Sequence, residues 1–299
     1  MKTAFCTIST KSHLFKAKTL LESIAKFSNA DLFCLITDND RYPLEEEDTI
    51  NWSDLSELDS PFSEAIIKKY KGDKLRWACK PLYLTHLLQQ GYDAVLYGDN
   101  DICFFNSPDF LFQKLAISAV LLTPHFYPAD PTEHQSQLEA NFKIGLFNAG
   151  FIGVNKEAHK ALEWWAGCCA YNVKQAFHRG LNDDQKYLDL FPILFDDVHI
   201  LKHRGCNVGA WSLKTSEVKK NDNYVTLNHD PLIFMHFNPF TIRSILNGEE
   251  VLLKPILTKY IAELKRFNPE YDVESELKNR SLIRAKIRHF FWKLERKLE

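Results

Sequence analysis

Two aspartates one residue apart, Asp99 and Asp101, follow an apolar, strand-like run at residues 93–97. In a strand or tight turn, residues i and i+2 point the same way, so both carboxylates can be aimed at one point. Carboxylate oxygens suit a hard divalent cation and leave other coordination positions for phosphate oxygens. The spacing therefore predicts a metal site that can accept phosphate, although Gly-Asp-Asn-Asp is also compatible with an ordinary turn.

Polar side chains stand at the edges of three later apolar or helical segments. Asn148 and Gly150 head one apolar run, Asp184 and Gln185 open a helical pattern, and His236 stands near the end of another apolar run. Each has an ordinary alternative: a bulge or turn glycine, a helix N-cap, and a hydrogen-bonded core histidine. Taken singly, these segments do not decide between a site and a structural role.

The elements that must position these residues follow from hydrophobic periodicity. Short apolar runs alternate with longer amphipathic ones, which is typical of an α/β fold with a mostly parallel sheet covered by helices on both faces. The strands are predicted at Ala4–Ser9, Leu32–Thr37, Ala94–Tyr97, Ala119–Thr123, Phe147–Val154, Val198–Leu201 and Leu232–Phe237. The helices are predicted at Ser12–Phe27, Lys74–Gln90, Glu157–Tyr171 and Asp183–Leu190. Ligands of such sheets bind at the carboxyl ends of the strands.

The composition excludes some classes of function. The formal charge of −2 over 299 residues gives no nucleic-acid footprint. The seven cysteines form no C-x-x-C pair, so we expect the protein to reside in a reducing cytoplasm and to contain no disulfides. We find no signal-peptide pattern, no run of membrane-spanning length and no glycine-rich phosphate loop. A bound nucleotide would therefore need a metal and side chains to hold its phosphates.

Taken in order, the motifs resemble those of the GT-A-fold glycosyltransferases, most closely glycosyltransferase family 8 and related bacterial enzymes of surface polysaccharide (lipopolysaccharide and capsule) synthesis. The resemblance implies a Rossmann-like GT-A catalytic domain over residues 1–267, with a mostly parallel central sheet flanked by helices. No single motif is decisive, but their shared order is specific. The motifs are Lys74-Leu75-Arg76-Trp77-Ala78-Cys79-Lys80-Pro81, Leu96-Tyr97-Gly98-Asp99-Asn100-Asp101-Ile102, Phe147-Asn148-Ala149-Gly150-Phe151, Asp184-Gln185-Lys186-Tyr187-Leu188, Asn207-Val208-Gly209-Ala210-Trp211 and His236-Phe237.

The same resemblance implies roles for individual residues. The metal ligands would be Asp99, Asp101 and His236, and this mixed carboxylate and imidazole set favours Mn²⁺ over Mg²⁺. The residues nearest the anomeric carbon of the donor sugar, and so the catalytic ones, would be Asn148, Asp184 and Gln185. The donor nucleotide-sugar would be bound by Thr7, Ser9, Thr10, Arg76, Lys80, Asp99, Asn100, Gly150 and Asn207.

The implied activity is transfer of a hexose from a nucleotide-sugar, most simply a UDP-hexose, to an oligosaccharide or lipid-linked glycan acceptor, with retention of anomeric configuration. Two positions depart from the family pattern: Pro239 stands where glycine is usual, and Gly98 stands where leucine is common. A sugar nucleotidyltransferase and a catalytically inactive carbohydrate- or nucleotide-binding protein remain alternatives. The first predicts a glycine-rich N-terminal loop, and residues 7–12 contain no glycine.

The pattern changes in the C-terminal appendage, residues 268–299, where we predict a basic amphipathic helix. Such a helix can lie on an anionic membrane surface or pack on protein. The first alternative would place the protein in the cytoplasm, peripherally on the inner face of the cytoplasmic membrane. The apolar positions at helical spacing are Ile283, Ile287, Phe290, Phe291, Leu294 and Leu298, and the basic ones are Arg284, Lys286, Arg288, Lys293 and Arg296.

Overall fold

The computed structural model describes residues 1–38, 49–220 and 224–278. The strands are β1 (Thr3–Ser9), β2 (Asp31–Ile36), β3 (Ile50–Asp54), β4 (Ala94–Gly98), β5 (Ile102–Phe104), β6 (Val120–Pro124), β7 (Phe147–Asn155), β8 (Val198–Ile200), β9 (Val218–Lys220), β10 (Val225–Leu227), β11 (Asp230–Pro231) and β12 (Phe234–His236). The α-helices are α1 (Leu14–Ala25), α2 (Ser63–Lys69), α3 (Asp73–Gln89), α4 (Asp109–Leu115), α5 (Gln135–Lys143), α6 (His159–Tyr171), α7 (Phe191–Leu194), α8 (Ala210–Leu213), α9 (Pro239–Leu246) and α10 (Lys254–Phe267).

The central sheet has seven strands in the order β3-β2-β1-β4-β7-β6-β8. Among these described strands, β7 alone runs antiparallel to both of its neighbours, while the other pairs are parallel. The predicted α/β class with a mostly parallel sheet is confirmed. Helices cover both faces, with α3 and α6 in the apolar core of one face and α1 and α4 in that of the other.

The reversal of β7 matters for the site. Because β7 is antiparallel to β4, its first residues lie beside the carboxyl end of β4, where Gly98 is paired with Phe151. The backbone N–H of Asp99 donates to the carbonyl of Gly150 at 2.8 Å. Two motifs about 50 residues apart in the sequence are therefore adjacent at one edge of the sheet.

A two-stranded ribbon outside the central sheet carries the histidine. Strand β12 pairs antiparallel with β5, and His236 is opposite Ile102. The backbone N–H of Phe237 also donates to the carbonyl of Asp101 at 2.7 Å. The predicted strand at 232–237 is shorter in the structure, and it pairs with the segment that follows the two aspartates.

Among the elements that differ from the prediction, two differ for clear reasons. Strand β3 was not predicted, because its sequence Ile-Asn-Trp-Ser-Asp carries polar residues on an edge strand rather than an apolar run. The helix predicted at Asp183–Leu190 is a 3₁₀ helix over Gln185–Leu190, followed by α7. Asp183 has φ of 52°, a left-handed conformation that an α-helix cannot include.

The C-terminal appendage is described only up to residue 278. Residues 273–278 are helical, and they contact α1 and α9: Lys16 pairs with Glu276, and the Arg243 guanidinium donates to the Leu277 carbonyl. The predicted basic helix beyond residue 278 lies outside the described residues. None of the helices in the described part has both the length and the hydropathy that crossing a membrane requires.

Candidate active site

Asp99, Asp101 and His236 lie together at the carboxyl end of β4. Each offers one ligand atom, and these atoms all lie within 4.8 Å of one another. The imidazole Nε2 of His236 is 2.9 Å from Oδ1 of Asp101. All three side chains are mostly buried, with 26%, 18% and 7% of their surface exposed for Asp99, Asp101 and His236. The predicted ligands are thus one cluster that opens to solvent on its aspartate side.

The donor set fits a divalent cation. Two neighbouring ligands of an octahedral cation with bonds of about 2.1 Å lie about 3.0 Å apart, close to the 2.9 Å between His236 and Asp101. Burial by itself lowers the pKa of His236, but the facing carboxylate of Asp101 outweighs it and raises that pKa above its usual value. The facing atoms His236 Nε2 and Asp101 Oδ1 can therefore accommodate either a metal cation or a proton between them.

Gly150 provides the space that the His236 ring occupies. A Cβ at position 150 would lie 2.7 Å from His236 Nδ1 and 2.6 Å from Asn148 Oδ1, which is closer than real Cβ contacts. The absence of a side chain at position 150 is thus a requirement for the cluster of Asp99, Asp101 and His236, which is called the metal cluster below as the candidate metal site. Asn148 also helps to hold the start of β7, because its Oδ1 accepts the N–H of Gly150 at 2.9 Å.

We expect Gly150→Ala to weaken Mn²⁺ binding by at least about tenfold, since the added methyl group displaces a ligand ring and such shifts cost 10–100-fold in metal affinity. Isothermal titration with Mn²⁺ measures this. Gly153→Ala on the same strand is the matched control: its Cβ would crowd Leu96 and Leu121 at 2.9 and 3.1 Å. That variant should lose stability but keep its Mn²⁺ affinity. Equal affinities for both variants would contradict the role of Gly150.

Lys80 joins the metal cluster to the segment around Asp184. Its ammonium group is 3.3 Å from Asp99 Oδ1 and 3.2 Å from Asp184 Oδ2, and it donates to the carbonyl of Ala149 at 2.9 Å. Only 2% of the side chain is exposed. An ammonium group has three donors, so these partners account for all of them. A direct contact with a phosphate, as the resemblance implies, would require Lys80 to leave one partner.

Asp184 is fully enclosed. Burial raises its pKa to about 6, and the charge of Lys80 opposes that rise. The indole N–H of Trp165 donates to the Asp184 carbonyl at 2.9 Å and fixes the backbone at this point. Tyr97 completes the arrangement by donating its hydroxyl to Asp99 Oδ1 at 2.5 Å. The result is a buried row of two carboxylates with one cation between them.

Gln185 is tied to two backbone segments. Its Oε1 accepts the N–H of Ala149 at 3.1 Å, and its Nε2 donates to the Ile144 carbonyl at 3.2 Å. It therefore lies beside the Asn-Ala-Gly segment at the start of β7, as the predicted grouping of Asn148, Asp184 and Gln185 requires. Their catalytic roles stay predictions.

The residues predicted to bind the nucleotide differ in their burial and in their hydrogen-bond partners. The Asn100 amide donates to Ser9 Oγ at 3.1 Å, so the end of β1 and the aspartate turn are joined. Thr10 is partly exposed and contacts His13, whereas Thr7 is fully buried on β1. Arg76 forms an ion pair with Asp73, and its Nε is buried without a hydrogen-bond partner among the described residues.

The structure explains both departures from the family motifs. A Cβ at Gly98 would lie 2.8 Å from the ring of Phe5, so the phenylalanine fills the space that a larger residue at 98 would use. Pro239 is the first residue of α9, where a missing N–H costs nothing. Asn238 caps that helix by accepting the N–H of Thr241 at 2.9 Å.

Two residues near the metal cluster, His125 and Trp211, are not predicted from the sequence. The Trp211 indole packs nearly perpendicular to the rings of both His125 and His236, with ring centroids 5.6 and 5.2 Å apart. Its N–H is buried without a partner among the described residues. His125 directly follows β6, and this position at the end of a strand is the available signal.

Two solved structures share this architecture. Mouse xyloside xylosyltransferase 1 in its apo form matches with a TM-score of 0.50 and 14% identity, over 81% of this chain and 99% of that chain. The apo form of the glycosyltransferase GlyE of Streptococcus pneumoniae TIGR4 matches with a TM-score of 0.50 and 16% identity, over 89% of this chain and 63% of that chain. At such identities the likeness shows the fold, which is the GT-A fold.

The chain is also similar along its length to a bacterial protein. The uncharacterized protein YfnD of Bacillus subtilis strain 168 is 27% identical over 285 residues, which cover 89% of this chain and 90% of YfnD. No family model matches the chain.

Proposed function

We propose that this protein is a retaining, divalent-metal-dependent glycosyltransferase that moves a hexose from a UDP-sugar to a glycan acceptor. The observation that carries the proposal is the joining of the Asp99, Asp101 and His236 cluster to Asp184 through the buried ammonium group of Lys80. Mouse xyloside xylosyltransferase 1 and GlyE, which share the fold, are both named for glycosyl transfer, and this supports the class of reaction. The fold alone does not specify an activity.

Asp99, Asp101 and His236 would hold Mn²⁺ or Mg²⁺, which would supply positive charge for the diphosphate leaving group. Arg76 is the protein cation best suited to assist, because its buried Nε has no partner among the described residues and a phosphate oxygen could accept from it. Thr10 would border the nucleoside, because it is partly exposed directly after β1, and the buried hydrogen bond between Asn100 and Ser9 would hold that edge of the sheet next to Asp99.

The proposed transfer proceeds on one face of the donor sugar. The bond between the anomeric carbon and the diphosphate oxygen breaks, and the oxygen keeps the electron pair. The acceptor hydroxyl forms the new bond from the same face, and its proton passes to the departing diphosphate. This requires no protein base. Asp184 and Gln185 would orient the sugar and stabilise its positive charge, and Asn148 would act beside them through its hydrogen bonds to Gly150 and Asn207.

We also propose a cellular setting on the basis of the sequence. The acceptor would be an oligosaccharide or lipid-linked glycan of a bacterial surface polysaccharide, and the basic residues of the appendage would hold the enzyme on the inner face of the cytoplasmic membrane. Each cation near an anionic surface can contribute about 1 kcal/mol. Sedimentation with anionic vesicles tests this: truncation after Lys278 should release the protein, and unchanged binding would refute the membrane role.

The proposed reaction is tested by incubating the protein with UDP-, GDP- and CDP-hexoses, with Mn²⁺ or with a chelator. We expect slow, Mn²⁺-dependent hydrolysis of one UDP-hexose, because water can replace the acceptor hydroxyl in a retaining transferase but reacts slowly. Proton NMR of the first product should show the donor's anomeric configuration. An inverted product would refute retention, and the release of pyrophosphate from a nucleoside triphosphate and a sugar phosphate would favour a nucleotidyltransferase.

A further inference from the structure

A directed chain of hydrogen bonds runs behind the metal cluster, and its first member is fixed by a backbone carbonyl. Nδ1 of His125 lies 2.9 Å from the carbonyl oxygen of Gly145. A carbonyl can only accept, so Nδ1 of His125 carries a proton and donates. Burial lowers the pKa of His125 to about 3, so this imidazole is neutral at ordinary pH. Its other nitrogen, Nε2, is therefore an acceptor.

The neutral histidine orients Asn148. Nε2 of His125 is 3.1 Å from the amide nitrogen of Asn148, which must donate to it. The carbonyl oxygen of the same amide then points the other way, where it accepts the N–H of Gly150 and an amide hydrogen of Asn207 at 2.9 and 3.1 Å. The orientation of Asn148 is therefore fixed from both sides, by the N–H of Gly150 at its oxygen and by Nε2 of His125 at its nitrogen.

Asn148 in turn orients Asn207. The amide nitrogen of Asn207 donates to Asn148 and, at 2.8 Å, to the hydroxyl oxygen of Thr123. Both donors of the Asn207 amide are thus used, and its oxygen faces Nδ1 of His236 at 3.3 Å. Asn207 has φ of 53°, a conformation that asparagine tolerates better than most residues. This backbone conformation therefore places the Asn207 side chain between Asn148 on β7 and His236 on β12.

We propose that the chain from the Gly145 carbonyl through His125, Asn148 and Asn207 fixes His236 as the Nδ1–H tautomer, with the Nε2 lone pair facing the metal position. This inference rests on the proposed metal site and deepens it. Asn148 and Asn207 are then positioning residues of a metal ligand, since their side chains are engaged with each other and with His125 and His236. Ligand histidines in metal sites are generally oriented in this way by a partner of their second nitrogen.

The same chain reaches the other end of the site. The loop at residues 144–146 supplies the Gly145 carbonyl to His125 and the Ile144 carbonyl to Gln185. The segment around the predicted catalytic residues and the orientation of the metal ligand therefore share one support.

The tautomer can be read directly. Nitrogen-15 correlation spectra of the histidine rings, recorded on the wild-type protein with saturating Mg²⁺, should show His236 protonated at Nδ1 and bare at Nε2, and His125 in the same tautomer. His236 protonated at Nε2 would overturn the inference, whatever the stability of any variant.

A matched pair of variants tests the cause. Asn207 and Asn228 both have positive φ, 53° and 56°, so glycine fits either backbone. Asn228 accepts the N–H of Glu217 at 2.8 Å, in the small sheet of β9, β10 and β11. We expect Asn207→Gly to weaken Mn²⁺ binding by about 10–100-fold and to give mixed tautomers at His236. Asn228→Gly should do neither.

The outcomes separate the inference from the proposed function. If the folded wild-type protein binds no Mn²⁺, the proposed metal site fails. If the wild type binds Mn²⁺ and Asn207→Gly binds it equally well, with His236 still protonated at Nδ1, the metal site stands and the positioning role is refuted.

Discussion

Replacing Asp101 with alanine will lower kcat/KM for the nucleotide-sugar donor by about 10³-fold, or about 4 kcal/mol in transition-state stabilisation. The reason is that Asp101 offers one of the three ligand atoms and faces His236 across 2.9 Å. Without it, charge developing on the leaving diphosphate has no positioned cation. Donor turnover at saturating Mn²⁺ measures the effect.

Asp109→Ala is the control for Asp101→Ala. Asp109 is an exposed aspartate in the first turn of α4, so its removal changes the net charge equally but leaves the metal cluster intact. It should keep wild-type kcat/KM. If Asp101→Ala turned over the donor as fast as Asp109→Ala, the cluster would not be the catalytic metal site.

Lys80→Met will destabilise the fold by about 3–5 kcal/mol, because removing one partner of a buried ion pair leaves the other charge uncompensated. Here the two carboxylates of Asp99 and Asp184 lose a shared cation that lies 3.3 and 3.2 Å away. Denaturant unfolding at neutral pH measures the change.

The effect of Lys80→Met should depend on pH. The Lys80 charge opposes the rise that burial causes in the pKa of Asp184, so the variant's folded state should hold that proton to higher pH. A folded-state pKa above the unfolded value means that stability falls as pH rises through it. The gap from wild type should therefore open near pH 6, where Asp184 of the wild type titrates, and widen as the pH rises above that value.

Lys16→Met gives a comparison for the buried lysine. Lys16 is also buried, but it pairs with the single carboxylate of Glu276, whose side chain is 16% exposed and can turn to water. Its loss should cost less and show a weaker pH dependence. A Lys80→Met variant no less stable than Lys16→Met would contradict the buried bridge.

The location of the site could be predicted because it depends on strand ends. Asp99 follows β4 and His236 ends β12, and a strand's end is readable from where an apolar run meets polar residues. The family resemblance then grouped them. Hydrophobic periodicity does not indicate which strand pairs with which. The pairing of β12 with β5 and the antiparallel direction of β7 are therefore known only from the structure.

The surroundings of Lys80 and Asn207 could not be predicted for a related reason. Lys80 lies on a helix whose face could equally have been solvated, and its burial depends on how α3 packs beneath β4 and β7. The orientation of Asn207 depends on a neutral histidine 82 positions earlier, reached through a third residue. Side-chain hydrogen bonds between distant segments leave no periodic signal in the sequence.

The most direct test of the account is a calorimetric titration of UDP into the folded protein, with Mn²⁺ and with a chelator, for the wild type and for Asp101→Ala. The account predicts that UDP binds the wild type when Mn²⁺ is present and that binding is lost with the chelator or in the variant. Absence of UDP binding to the folded wild type in Mn²⁺, or equal binding with the chelator, would contradict it.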